Sequence, residues 1–87
     1  MTYYIAEIDI MPLKELLDPQ GKAVNSGLKK LDIQNVEDVR VGKHITLQFN
    51  DASNKQEAEE KTELACKKLL ANPVIESYQY MVKEVEE

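Results

Sequence analysis

The sequence holds one cysteine and one histidine, no tryptophan, and only three glycines and three prolines among 87 residues. A lone cysteine, Cys66, forms no internal disulfide and no Cys-rich zinc cage, which need two and about four ligands respectively. With His44 the sole imidazole, any Ser/His/Asp or Cys/His mechanism has to recruit that residue. No apolar run approaches the roughly 20 residues that span a bilayer. Met1-Thr2-Tyr3-Tyr4 sets no basic stretch ahead of an apolar one. The expectation is a chain neither secreted nor inserted in a membrane, in a reducing, cytoplasmic setting. Cations are also short, with 11 Lys plus Arg against 16 carboxylates and a formal net charge of −5. Nucleic-acid binders cluster Lys and Arg to displace counterions, and the scattered cations here argue against such a partner. A locally basic loop can still hold one small anion.

What is present describes an ordinary globular chain, 43% hydrophobic and 31% charged. A chain this short buries only roughly 60% of its unfolded surface, so residues 1–87 read as one domain without a large cavity. Residues 3–11 alternate, with Tyr4, Ala6, Ile8 and Ile10 on one side and Glu7 and Asp9 on the other, the period of a half-buried strand. Pro12 ends it. Asp18 then suits an N-cap and Pro19 the first helical position, predicting a helix to about Leu31 with Ala23, Val24, Gly27, Leu28 and Leu31 as its apolar face. Gly27 within that face implies close approach of the helix to the sheet. Residues 36–41 and 44–50 read as a hairpin about Gly42-Lys43. Residues 55–71 have helical periodicity through Ala58, Thr62, Ala65, Cys66, Leu69 and Leu70. Asn72-Pro73 stops that helix, residues 74–82 form the last strand, and residues 83–87 read as a frayed tail.

The order βαββαβ predicts an α+β, ferredoxin-like (split βαβ) two-layer sandwich, a four-stranded antiparallel sheet with two helices on one face. Tyr3, Ile5, Tyr78 and Tyr80 are then expected along the uncovered face or its edges, where exposed apolar surface implies self-association.

Most chemistry-bearing residues have plain explanations. His44 begins a strand and reads as an exposed edge histidine. Cys66 lies on an apolar helical face, where cysteine packs as a small hydrophobe. Glu57, Glu59, Glu60 and Glu63 alternate with lysines as a solvated helix face. Two segments call for more. Asp18-Pro19-Gln20-Gly21-Lys22 puts a glycine and a lysine into the first turn of a helix, where free N–H groups favour an anion or a partner's carboxylate. Capping explains Asp18 and Pro19 but not Gly21, a poor helix former, whose presence implies a close backbone approach by something else. Arg40-Val41-Gly42-Lys43 sets two cations beside a glycine, with a simple hairpin as the plain alternative.

At these residues the chain resembles the PurS family. The resemblance rests on residues 17–24 (LDPQGKAV), 39–43 (VRVGK) and 66–78 (CKKLLANPVIESY), whose order and spacing cover nearly the whole domain. Its main departure is Leu31-Asp32-Ile33, where relatives often carry glycine after the leucine, which puts the helix-ending turn in doubt. The resemblance implies a non-catalytic assembly subunit of phosphoribosylformylglycinamidine synthase, a homodimer or a dimer of dimers, in the fourth step of de novo purine synthesis. It would bridge a glutaminase (PurQ-type) and a synthetase (PurL-type) that uses ATP and magnesium, while binding neither cofactor itself. No nucleophile–base pair, phosphate-binding glycine loop of the usual pattern or metal ligand set conflicts with that role. The residues expected at partner interfaces are Asp18, Pro19, Gln20, Gly21 and Lys22, then Arg40, Gly42 and Lys43, then Asn72, Pro73 and Glu76. The rival reading is a small-molecule-sensing regulatory domain of the same topology. An RNA-recognition module would need a central aromatic pair, and an acylphosphatase-like enzyme an anion loop, neither of which is visible in the sequence.

Overall fold

The structure, a computed structural model, describes residues 2–86. Its elements are strand β1 (Thr2–Pro12), helix α1 (Pro19–Lys30), strand β2 (Lys43–Phe49), helix α2 (Lys55–Ala65) running into a π-helical turn (Cys66–Leu70), and strand β3 (Glu76–Glu86). The strands form one antiparallel sheet in the order β2-β1-β3. Alternation in β1 works as expected: Tyr4, Ala6, Ile8 and Ile10 are buried, against residues of intermediate or full exposure between them. Ala58, Thr62 and Cys66 close over that face. Burying side chains such as Ile8 and Ile10 contributes about 1.5–3 kcal/mol each.

Four expectations are corrected. Residues 36–41 form no strand, so the sheet has three strands and the hairpin about Gly42 does not exist. A strand needs a ladder partner, and β2 pairs with β1 instead. Second, only α2 covers the sheet. α1 makes no extensive contact with any strand, and its one buried residue is Gly21. A Cβ at Gly27 would meet nothing within 4 Å, so Gly27 marks no helix-to-sheet approach inside the chain. Third, Tyr78 and Tyr80 pair with Ile10 and Ile8, which puts them on the covered face, since directly opposed residues point the same way. Alternation alone gave their parity and not their face. Tyr3 and Ile5 do lie on the open face, beside Glu7, Asp9, His44 and Lys83. Fourth, the expected tail is paired: Lys83, Glu84, Val85 and Glu86 lie opposite Ile5, Tyr4, Tyr3 and Thr2. Glu87 lies outside the described residues.

The second helix changes pitch near its end because Ala71 N–H donates to Cys66 O, five residues back. Buried Thr62 satisfies its hydroxyl by donating to Ala58 O at 2.7 Å. The helix-ending turn after Leu31 survives without glycine. Asp32 N–H donates to Lys29 O and Ile33 N–H to Leu28 O, a Schellman pair, with Asp32 itself at φ 62°.

Candidate functional site

Three loops meet at one end of the sheet, where β1 finishes and β2 and β3 begin. They are residues 13–18, 39–42 and 71–75. They contain Asp18, Arg40, Gly42, Asn72 and Pro73 of the residues expected at partner interfaces, and Pro19, Gln20, Gly21, Lys22, Lys43 and Glu76 follow directly at the starts of α1, β2 and β3. Asp18 joins the first two. Its Oδ1 accepts from Gly21 N–H at 3.0 Å, capping α1, and its Oδ2 accepts from Val41 N–H at 2.8 Å. The bonds from the Val41 and Gly21 amides, with the nearby Arg40 charge, hold the Asp18 carboxyl below the usual carboxylate range.

Gly21 is required by its own chain. A side chain there would run into the Val39 carbonyl, so the close approach inferred from the sequence is made by Val39 and not by an outside molecule. Gly42 is forced likewise, since a Cβ would collide with Ile10 O and the Met11 sulfur. Arg40 spans to the β1–α1 loop. Nη1 donates to Leu13 O at 3.1 Å and Leu16 O at 3.0 Å, Nη2 donates to Lys14 O, and Nε pairs with Asp38 at 3.1 Å.

The third loop is bound on by Leu13 N–H donating to Ile75 O at 2.9 Å, and by the Lys43–Glu76 ion pair at 3.8 Å. Within it, Asn72 O accepts from Ile75 and Glu76 N–H, Asn72 Oδ1 accepts from Val74 N–H, and Glu76 Oε1 accepts from Asn72 N–H at 2.8 Å. Pro73 sits exposed in that turn. Two open grooves result. One, of about 620 Å³, runs between Ile10, Leu17, Pro19, Gln20, Gly42, Lys43 and Glu76. The other, of about 390 Å³, is bordered by Leu16, Leu17, Lys22, Asp38 and Arg40. Lys22 is exposed and makes no ion pair among the described residues.

This end of the molecule is a rim built by internal hydrogen bonds. The residues that sequence reasoning missed are Leu13, Lys14, Leu16 and Val39, which take part through their carbonyls. A carbonyl belongs to every residue, so no side-chain signal announces them. Among the described residues no group of three or more His, Cys, Asp and Glu is placed to hold a metal ion. His44 lies elsewhere, on the open sheet face, 2.7 Å from Asp9. Cys66 is buried, and burial pushes its thiol up from the ordinary value.

A family model described as PurS, phosphoribosylformylglycinamidine (FGAM) synthase, matches residues 5–84. The chain belongs to the PurS family. PurS subunits of the synthase from Methanocaldococcus jannaschii and Bacillus subtilis are 36% and 38% identical to it. Those alignments cover 95% of this chain and 99% of the first relative, and 94% and 95% for the second. Among solved structures, Thermus thermophilus PurS superposes with a TM-score of 0.81 at 47% identity, covering 97% of this chain and 99% of that one. A chain in the structure of PurLQS from Thermotoga maritima gives 0.80 at 34% identity, covering 95% and 98%. The three-stranded sheet with two helices is thus the architecture of PurS proteins, over almost the full length of each.

Proposed function

We propose that this chain is the non-catalytic assembly subunit of a phosphoribosylformylglycinamidine synthase. It holds a glutaminase and an ATP-dependent synthetase together, so that ammonia passes between them in the fourth step of de novo purine synthesis. The observation that carries this reading is the likeness, along nearly the whole chain, to PurS subunits and to a chain of the Thermotoga maritima PurLQS structure. The three-loop rim supports it. It offers two open grooves and an exposed Pro19, Gln20, Lys22 and Pro73 to another surface, without a nucleophile–base pair beside them. Holding the two enzymes close raises the effective concentration of ammonia at the synthetase. ATP and magnesium belong to the synthetase in this reading, and the cytoplasm is its setting. No helix among the described residues is long and apolar enough to cross a membrane.

Self-association is part of the proposal. The radius of gyration is 16.9 Å, whereas a compact chain of this length has about 12 Å. Its accessible surface is 6475 Å², about 1,300 Å² above that of a compact monomer of this mass. A standard interface removes about 800 Å² per partner. Val24 on α1, and Leu31 and Ile33 just beyond it, are exposed, and residues 36–41 pair with no strand. A second copy pairing with residues 36–41 would supply the missing fourth strand, completing the split βαβ sandwich between chains.

The test is to compare glutamine-dependent with ammonia-dependent amidine formation by the cognate synthetase and glutaminase, with and without this chain. Glutamine-dependent turnover is expected to require it, and ammonia-dependent turnover to need it much less. Equal glutamine-dependent turnover without it would overturn the assembly reading and favour a metabolite-sensing domain.

A further inference from the structure

Arg40 offers two cationic roles that differ in what they require. A residue that meets a partner's carboxylate keeps its donors free, whereas a residue that shapes its own chain spends them internally. Four of the five N–H groups of the guanidinium are spent here, on Asp38 and on the carbonyls of Leu13, Lys14 and Leu16. Those three carbonyls lie within four consecutive residues, and a planar fork meets them from two nitrogens, whereas an ammonium would have to draw all three to one point. Leu13 O also accepts from Leu16 N–H at 3.1 Å, so one turn carries both bonds. The same turn places Leu16 and Leu17 on the border of the 390 Å³ groove. Leu17 is 67% and Leu16 37% exposed, so neither side chain anchors this loop in the core. The neighbouring backbone, Val41 N–H, is held by Asp18.

We infer that Arg40 is a positioning residue: it fixes the β1–α1 loop so that the rim has a single shape before any partner meets it, and does not itself pair with a partner. This rests on the assembly reading for its functional consequence, but its structural half is measurable on the free protein. Preorganisation of this kind raises affinity by removing the ordering cost from the binding step.

The experiment compares the wild type with Arg40→Lys, Arg40→Ala and Lys22→Ala. Amide hydrogen exchange at Leu16 is read in the free protein, and the concentration giving half-maximal glutamine-dependent turnover is read with the synthetase and glutaminase. Both Arg40 variants are expected to speed exchange at Leu16 by roughly tenfold or more, with amides in the middle of β1 unchanged. Both should raise the half-maximal concentration by a similar factor, with lysine giving no rescue and the salt dependence of assembly staying as in the wild type. Lys22→Ala, a surface cation without an internal partner, should leave exchange at Leu16 unchanged. Rescue of assembly by Arg40→Lys, or a flattened salt dependence in Arg40→Ala, would show a direct charge contact and overturn the inference. Unchanged exchange at Leu16 would overturn it as well. If wild-type turnover needs no such chain at all, the assembly reading fails while the exchange result still decides the role of Arg40 in the loop.

Discussion

The two halves of this chain treat their apolar residues in opposite ways. Where α2 lies on the sheet, Ala6, Ile8, Ala58 and Cys66 are each 0% exposed. Along α1 and the segment that follows it, Val24, Leu31 and Ile33 are 45%, 71% and 46% exposed. Both helices are amphipathic in sequence, so the contrast does not come from composition. The sheet-facing side of α2 finds its complement within the chain, although Leu64 and, in the π-helical turn, Leu69 are 57% and 81% exposed. The apolar residues along α1 find none, which fits the self-association proposed above. The rim of loops stands at the junction, tied to both halves by Asp18, Arg40 and the Lys43–Glu76 pair.

The sharpest way to break this contrast is a pair of truncations. Ile8→Ala should lower unfolding free energy by about 2–5 kcal/mol, because it opens a cavity in a buried site. Leu31→Ala, at an exposed site, should cost within about 0.5 kcal/mol in dilute solution. Urea unfolding at low and high protein concentration checks both. Under the self-association proposed above, a second copy covers that surface and Leu31→Ala should become costlier as concentration rises. A large cost for Leu31→Ala at every concentration would mean that α1 is packed within its own chain.

How much of this was legible in the sequence follows the same division. The β1 alternation of Tyr4, Ala6, Ile8 and Ile10, the Asp18-Pro19 start of α1 and the Asn72-Pro73 stop after α2 are local signals, and each one holds. Residues 36–41 have strand-like sequence but no ladder, because strand formation depends on a partner that local sequence does not specify. Tyr78 and Tyr80, expected on the open face or its edges, lie on an edge strand but on the covered face for a related reason, since register with β1 decides the face. Of the site, the glycines and Arg40 were visible, but their purpose was not. Gly21 and Gly42 make room for Val39 and Ile10 of their own chain, and Arg40 binds carbonyls that any residue carries.

A smaller effect tests the end of α1. Asp32 occupies the left-handed region at φ 62°, where a Cβ is unfavourable, and its carboxylate sits near the negative end of the helix dipole. Asp32→Gly should therefore raise stability by about 0.5–1 kcal/mol, with the added freedom of the unfolded chain taking back part of the gain. Thermal unfolding in dilute solution checks it. No gain would mean that the Asp32 side chain contributes something that the turn geometry does not reveal.

The smallest expected effect sets the two halves against each other through pH. Asp18 ties α1 to residue 41 as a carboxylate, and its pKa is lowered by the Val41 and then the Gly21 amide bonds. A depressed folded value means that its contribution is complete above the ordinary carboxylate pKa of about 3.9. It is lost as pH falls through the lowered value. Tyr78 ties β3 to α2 as a neutral phenol donating to Glu63. That bond first, and burial second, push Tyr78 up from 10.0 to about 12. Its contribution is complete below the ordinary tyrosine pKa of about 10 and is lost as pH rises through about 12. Acid should therefore release the junction of α1 first, and alkali the contact of α2 with β3. Amide exchange at Val41 should rise toward the acid limit in the wild type while the middle of β1 stays protected. Tyr4 and Tyr80 are also pushed up, chiefly by burial. Tyrosinate absorbance should therefore show three of the four tyrosines titrating above the ordinary value, and Tyr78→Phe should remove the step at about 12. Early titration of every tyrosine would mean that the α2–β3 contact is no firmer than the junction of α1, and the contrast between the halves would then rest on burial alone.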